Sequence, residues 1–125
     1  MPIHADINVD ERRVYTTCSG EITAACFKNY QDNVWRDESL YGFNELFDAT
    51  QADFSTLNFS DMLTVAEGAA KLNTLAPDSK IAILVTPGKQ EEIANFYVAA
   101  KGSMPVTSRA MQIFQDRDDA LAWLV

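Results

Sequence analysis

The first twenty residues alternate between apolar and polar side chains. In residues 3–9 every second position is apolar, and His4, Asp6 and Asn8 occupy the positions between them. The alternation returns in residues 12–19 after a short polar turn. A period of two is typical of a strand with one buried face. So short a connection predicts that the two strands form an antiparallel hairpin.

Strand-like and helix-like segments alternate through the rest of the chain. We predict strands at residues 42–49, 80–85 and 111–114. Helices are predicted between Gly20, which ends the hairpin, and about Arg36, at 59–75, at about 89–100 and after Asp116. The unbroken apolar run at 80–85 is typical of a strand that is covered on both faces. The resulting order, ββαβαβαβα, predicts a single α/β domain over residues 1–125, with a mixed, mostly parallel sheet flanked by helices.

Two of the segments that connect these elements have sequence features that suggest their conformation. Residues 76–79 include Pro77 and predict a turn, because proline cannot continue the preceding helix. Residues 107–110 fit either a loop or a short turn of helix.

The strand at 42–49 and the helix at 59–75 form the predicted centre of the chain. The strand ends on Asp48, and an open polar turn at 50–58 leads into a helix that opens at Ser60 and Asp61. Glu45 lies beside apolar neighbours in the strand, and we expect its side chain to be partly in contact with water. In open α/β sheets, ligands and partners usually bind at the carboxyl ends of strands. This turn is therefore the expected working surface.

The charge balance narrows the choice of partners. The chain carries a formal net charge of −8, and 47% of its 125 residues are hydrophobic, which is ordinary for a globular protein. An acidic surface repels phosphate groups, so we expect neither nucleic acid nor an anionic membrane as a partner. Solubility is the simplest explanation of the charge.

Few side chains offer catalytic chemistry. His4 is the single histidine, and no cysteine lies near it in the sequence, which argues against a metal site or a general base. Cys18 and Cys26 lack CxxC spacing and fit a reduced, cytoplasmic compartment. The sequence has neither a signal-peptide pattern nor an apolar run long enough to cross a membrane. We therefore expect no catalytic residues, no cofactor and no metal.

Two stretches resemble a known family. The segment Leu46-Phe47-Asp48, followed by the turn and Ser60-Asp61, resembles the centre of STAS domains, the family of bacterial anti-sigma-factor antagonists. Residues 113–124 (IFQDRDDALAWL) are similar to the ending of an uncharacterised branch described as STAS-like or CRAL-TRIO-like. The resemblance implies a STAS-like fold and a regulatory, non-catalytic role.

The resemblance also implies a candidate site at the helix start. In anti-sigma-factor antagonists the turn carries paired serines and a glycine, and a partner kinase phosphorylates a serine there. This chain lacks that serine pair and glycine, so Ser60 is the nearest candidate acceptor, followed by Thr56 and Ser55. The structural alternative for Ser60 is a helix N-cap. Asp48 likewise either binds backbone N–H groups of the turn or shapes a partner site.

Apolar side chains in and near the turn suggest a second function. The candidate set is Phe54, Leu57, Phe59, Met62 and Met104, which could line the mouth of a pocket or form a lid packed on the core. Three functional hypotheses therefore remain, of which an enzyme that uses carboxylates and lysines is the least favoured. The first is a regulatory or protein-interaction module that acts through this turn, and the second is a carrier or sensor of a small apolar, lipid-like molecule.

Self-association is a further expectation. Either an exposed sheet edge or the regions around Trp35 and Trp123 could pair two copies into a homodimer.

Overall fold

The computed structural model describes residues 2–73, 79–104 and 109–125. The strands are β1 (Ile3–Asn8), β2 (Arg13–Glu21), β3 (Asn44–Asp53), β4 (Lys80–Leu84) and β5 (Ala110–Phe114). The helices are α1 (Ala24–Asn33), α2 (Phe59–Asn73), α3 (Lys89–Gly102) and α4 (Arg117–Trp123), with a 3₁₀ turn at Glu38–Leu40 before β3. The predicted order of strands and helices is confirmed.

The five strands form one sheet in the order β1-β2-β3-β4-β5. β1 pairs antiparallel with β2, and the other three pairings are parallel. A parallel pair requires a crossover connection, and α1, α2 and α3 supply these crossovers. The predicted fold class, α/β with a mixed and mostly parallel sheet flanked by helices, is confirmed.

The two faces of the sheet are covered unequally. α1, α2 and α3 share one face, where their apolar side chains pack with Val14, Cys18, Ile81 and Ile83 in the main core. All three crossovers advance the sheet in the same direction, which places their helices on the same side. α4 covers part of the other face, where Ala120 and Leu124 pack on the sheet in a smaller cluster.

Several boundaries differ from the prediction. β3 continues to Asp53, four residues beyond the predicted end, because its last three residues pair with the segment of β2 that follows a register shift after Thr17. The connecting turn is correspondingly shorter than the predicted 50–58. α1 ends at Asn33 rather than near Arg36.

Some predictions lie outside the described residues. Leu75 belongs to this group, as do positions 76–78 of the predicted turn and positions 107–108 of the ambiguous segment. Ala110, the last position of that ambiguous segment, is the first residue of β5.

Candidate functional site

The first turn of α2 is capped by two side chains that bond reciprocally. The side chain of Asn58 accepts a hydrogen bond from the backbone N–H of Asp61 at 2.8 Å, and the Asp61 carboxylate accepts from the backbone N–H of Asn58 at 3.2 Å. This is the arrangement of a capping box, with asparagine as the N-cap. The N-cap role expected of Ser60 is therefore wrong, because the helix begins at Phe59 and Ser60 is already its second residue.

The three candidate phosphate acceptors are all exposed. The carbonyl oxygen of Ser60 accepts a hydrogen bond from the Thr64 hydroxyl, and the Ser60 hydroxyl itself makes no hydrogen bond within the described residues. Ser55 hydrogen-bonds the Asp53 carboxylate through its hydroxyl and through its backbone N–H, and these bonds hold the pKa of Asp53 below its usual value. Thr56 lies in the turn beside it. All three hydroxyl side chains are accessible at the carboxyl end of β3.

Asp48 lies away from the start of α2. One carboxylate oxygen accepts from both the backbone N–H and the hydroxyl of Thr50, at 2.9 and 2.6 Å. The other carboxylate oxygen lies 3.6 Å from the guanidinium of Arg117 in α4. Asp48 therefore points to the sheet face opposite α2 and shapes the local backbone, so the structure does not bring it together with Ser60.

The apolar candidates divide into buried and exposed groups. Phe54, Leu57 and Met62 are buried in the main core, as the lid interpretation expects. Phe59 is 54% exposed, and its ring stacks on Phe96 of α3 with the ring centroids 4.7 Å apart.

Met104 is separated from the other apolar candidates. It lies two residues beyond the end of α3, at the amino end of the parallel strands, and is half-buried. It therefore does not join Phe59 at a common pocket mouth.

A second, unpredicted cluster is buried at the amino end of the parallel strands. The Glu45 carboxylate is only 3% exposed and accepts hydrogen bonds from the hydroxyls of Tyr30 and Thr16. Trp35 donates its indole N–H to the Tyr30 oxygen at 2.7 Å. The expectation that Glu45 is partly in water is wrong, because its side chain points under α1 rather than toward solvent.

Arg109 supplies the positive charge opposite Glu45. Its guanidinium lies 3.6 Å from the carboxylate, and it donates hydrogen bonds to the Ser79 hydroxyl and to the Phe43 carbonyl oxygen. The same guanidinium lies over the Trp35 ring, 4.3 Å from its centroid. A buried ion pair requires such additional bonds, because both charges have lost their hydration.

Burial shifts the pKa values of this cluster. Desolvation raises the pKa of Glu45 above its usual value, although Arg109 and the hydrogen bonds of Tyr30 oppose the shift. Lys101 at the end of α3 is fully buried, and its ammonium has no hydrogen-bond partner in the part of the chain that the structure describes. Burial, together with repulsion from Arg109, lowers the pKa of Lys101 to about 8.

A cavity of about 90 Å³ lies between the sheet and helices α1–α3. Its walls are mainly apolar and include Phe54 and Met62, while Glu45, Tyr30 and Arg109 line its polar end. This volume is well below the roughly 300–1,000 Å³ of a typical ligand site. It is also smaller than the roughly 150 Å³ engineered cavity that binds benzene. As it stands, the cavity has room for a molecule of only a few non-hydrogen atoms.

The described residues offer no obvious metal site. Across residues 2–73, 79–104 and 109–125, no three His, Cys, Asp or Glu side chains are arranged to hold a metal ion. Over the same ranges no helix combines the length and the apolar character that crossing a membrane requires.

The sequence offered a partial signal for the buried cluster. Glu45 is the only charged residue among apolar neighbours near the start of β3, and such a residue is either at a wet edge or paired in the core. Its partner Arg109 is 64 positions away, and its donor Tyr30 reads as an ordinary helix-face aromatic. Nothing in the local pattern identifies these three residues as neighbours.

Comparisons with known proteins establish the fold. No protein-family model matches the sequence, and no curated protein matches it. A solved structure with a SpoIIAA-like fold, an uncharacterised protein of the DUF3478 family from Shewanella loihica PV-4, matches with a TM-score of 0.58. The match is 20% identical and covers 98% of this chain and 92% of that chain. The chain therefore has a SpoIIAA-like fold, the STAS-like architecture that the resemblance implied.

Proposed function

We propose that this chain is a non-catalytic interaction module that binds a protein partner through the start of α2. The observation that carries the proposal is the exposure of this turn: Phe59 and Leu63 are 54% and 44% exposed, one helical turn apart. Aromatic side chains, phenylalanine included, are enriched in the cores of protein interfaces relative to the rest of the surface. Because Asn58 and Asp61 cap the helix, a partner can contact Phe59, Ser60 and Leu63 without disturbing the fold.

Ser60 is the proposed point of control. A phosphate there would carry about −1.5 to −2 charges at neutral pH, next to the exposed Phe59 ring. The helix N-terminus favours that charge, whereas the adjacent Asp61 opposes it. Phosphorylation would therefore convert an apolar contact surface into a strongly acidic one and weaken binding to an apolar partner surface. Thr56 and Ser55 are the next candidates, because both lie in the preceding turn.

Photo-crosslinking in the source cells tests the surface directly. A photoreactive phenylalanine analogue replaces Phe59, and the matched control places the same analogue at Lys28, an exposed position on α1. We expect one discrete protein adduct from position 59 and none from position 28. No adduct at position 59, or the same adducts at both positions, would contradict the proposal.

Phosphate mapping tests the control mechanism separately. Mass spectrometry of protein isolated from its own source should locate phosphate on Ser60, and Ser60→Ala should abolish that phosphopeptide. Ser103→Ala is the control, because Ser103 is exposed near the opposite end of the sheet. The absence of phosphate from Ser60, Thr56 and Ser55 under all growth conditions would contradict control by phosphorylation. It would not contradict the interaction surface, which the crosslinking experiment tests.

The cavity supports a second candidate function, the binding of a small and mainly apolar molecule. Its apolar walls and its polar end, formed by Glu45, Tyr30 and Arg109, are the combination that small-molecule sites use. The hydrogen-bonding groups would orient a polar head, and the walls would bury the remainder of the ligand. The volume favours a short molecule over a long-chain lipid.

Filling the cavity distinguishes ligand binding from ordinary packing. Ala69 and Ala94 both line it, so Ala94→Leu is expected to occupy space that a ligand would need. Thermal shift with benzene and short-chain alcohols should raise the melting temperature of the wild type but not of Ala94→Leu. Equal responses from both proteins, or no response from the wild type, would count against the ligand hypothesis.

A further inference from the structure

β1 is an edge strand, and its outer side is free of strand pairing in the described chain. Its pairing with β2 determines which backbone N–H and C=O groups of β1 face away from the sheet. The backbone N–H of Ser19 donates to the carbonyl oxygen of Pro2, and the antiparallel register continues through His4 opposite Thr17. In an antiparallel ladder the N–H and C=O of each residue point to the same side, and successive residues alternate. The backbone groups of Ile3, Ala5 and Ile7 therefore point away from the sheet.

The sequence of β1 is self-complementary about Ala5. If a second β1 lies antiparallel with Ala5 opposite Ala5, then Ile3 faces Ile7 of the second copy, and His4 faces its Asp6. The outward-pointing residues meet one another, so each of these three pairs can exchange two backbone hydrogen bonds. His4 of one copy and Asp6 of the other then lie opposite each other at positions where the backbones exchange no hydrogen bonds. The two strands are closest at such positions, so the side chains there interact most strongly.

We propose that two copies of this chain associate through their β1 edges in this register, which would make one continuous ten-stranded sheet across a two-fold axis. The axis passes between the two Ala5 residues, so both copies use the same surface and no further copy can be added at this interface. Within each chain the His4 imidazole already lies 3.1 Å from the Asp6 carboxylate, and the pairing brings a second carboxylate and a second imidazole to this contact. Imidazole and carboxylate can hydrogen-bond whether the ring is neutral or protonated.

Charge selects this register over its neighbours. Shifting the pairing by two residues in one direction places Asp6 opposite Asp6, and shifting it in the other direction places His4 opposite His4. Two carboxylates directly opposite each other destabilise a strand pair, and two opposed imidazoles lack the carboxylate partner that the Ala5-centred register supplies. In the Ala5-centred register each His4 faces an Asp6 of the other copy, so both side-chain pairs are complementary. This register pairs every residue of β1 (Ile3–Asn8) except the last.

Exposure of an apolar side chain on the same edge supports the pairing. Ile7 is 47% exposed although it lies on the face of the sheet that α1–α3 cover. In the proposed dimer it would lie beside the buried Ile3 of the second copy. The partner is thus a second copy of this chain, and this surface shares no residue with the start of α2.

The first test is the self-association of the wild type and of charge variants, measured by analytical ultracentrifugation over a concentration series. His4→Asp places two carboxylates opposite each other and should weaken the dimer by about tenfold or more. Asp6→His alone should also weaken it. The combination of His4→Asp with Asp6→His restores opposite pairs and should recover wild-type association. Lys28→Gln, on the exposed surface of α1, is the control for net charge, because it makes the chain more negative by one unit, as His4→Asp does.

Amide hydrogen exchange identifies the interface independently of the variants. The N–H groups of Ile3, Ala5 and Ile7 should become more protected as protein concentration rises, whereas those of His4 and Asp6 are already bonded to β2. Ala5→Pro removes an outward N–H without removing a β1–β2 bond and should also shift the protein toward monomer. A wild type that is monomeric throughout the series would overturn the proposal. So would a dimer whose Ala5 amide stays unprotected, or one that His4→Asp leaves unchanged.

Discussion

The two ends of the parallel strands handle polar side chains in opposite ways. At the carboxyl end of β3, the exposed Asp53 and Asn58 and the half-buried Asp61 accept hydrogen bonds from nearby backbone N–H groups. At the amino end, Glu45 and Arg109 are buried and depend on each other across the core. A local, solvent-exposed bond can be lost at a small cost in free energy, whereas an unpaired buried charge cannot. Residues at the exposed end can therefore be substituted to suit a binding partner at little cost in stability, whereas the buried pair at the other end is needed for the stability of the fold.

The largest expected effect comes from breaking the buried pair. Arg109→Met leaves the Glu45 carboxylate and the Phe43 carbonyl oxygen without this partner in the core. Removing one member of a buried ion pair typically destabilises a protein by about 3–5 kcal/mol. Denaturant unfolding should show a loss of this size in the free energy of unfolding.

Arg117→Met is the matched control for the buried pair. Arg117 lies as far from Asp48 as Arg109 lies from Glu45, 3.6 Å, but it is half exposed. An exposed ion pair contributes about 0–1 kcal/mol. Equal losses from the two arginine substitutions would contradict the contrast between the ends of the sheet.

The second prediction concerns Lys101, which is buried without a hydrogen-bond partner in the described chain. Because its pKa falls from 10.5 to about 8 on folding, the unfolded chain binds more protons between these pH values. Wild-type stability should therefore gain from this group as the pH rises from 8 toward 10.5, and should lack that gain below pH 8.

Lys101→Met tests this sign. The substitution should stabilise the protein by about 1–3 kcal/mol at pH 7, because it removes an unsatisfied buried polar group. Its advantage over the wild type should shrink as the pH approaches 10.5. Urea unfolding at pH 7 and pH 10 measures both values. An advantage that is absent at pH 7, or that does not decrease between pH 7 and pH 10, would contradict the assignment.

The third prediction separates the cap of α2 from its exposed serine. Asn58→Ala should destabilise the protein by about 1 kcal/mol, because the Asp61 N–H loses its acceptor. Ser60→Ala should change the free energy of unfolding by no more than about 0.5 kcal/mol, as is usual for an exposed position. Thermal and denaturant unfolding of the two variants provide the comparison. The opposite order of effects would restore the capping role to Ser60.

The fold was accessible from the sequence because its signals are local. The alternation in β1 and β2, the apolar run of β4 and the capping aspartate of α4 all lie within short windows, and the structure confirms each of them. The extension of β3 to Asp53 was missed because it depends on pairing with β2 rather than on its own pattern.

The sites were less accessible because they depend on contacts between distant residues. Phe54 and Met62 were correctly associated with the core, but Met104 was grouped with them although it lies at the opposite end of the sheet. Trp35 is buried and donates a hydrogen bond to Tyr30, so its ring does not provide a contact surface, and self-association itself stays a prediction. The ion pair between Arg109 and Glu45 joins residues far apart in the sequence, and the local pattern around neither residue indicates the other.

Capture of the crosslinked partner by purified variants tests the central claim most directly. The account predicts that Phe59→Ser loses the partner identified from position 59 while its circular dichroism spectrum and cooperative unfolding are retained. Phe96→Ser, which removes the stacked neighbour but leaves Phe59 in place, should weaken capture less. Undiminished capture by folded Phe59→Ser protein would contradict the claim that this chain works through the start of α2.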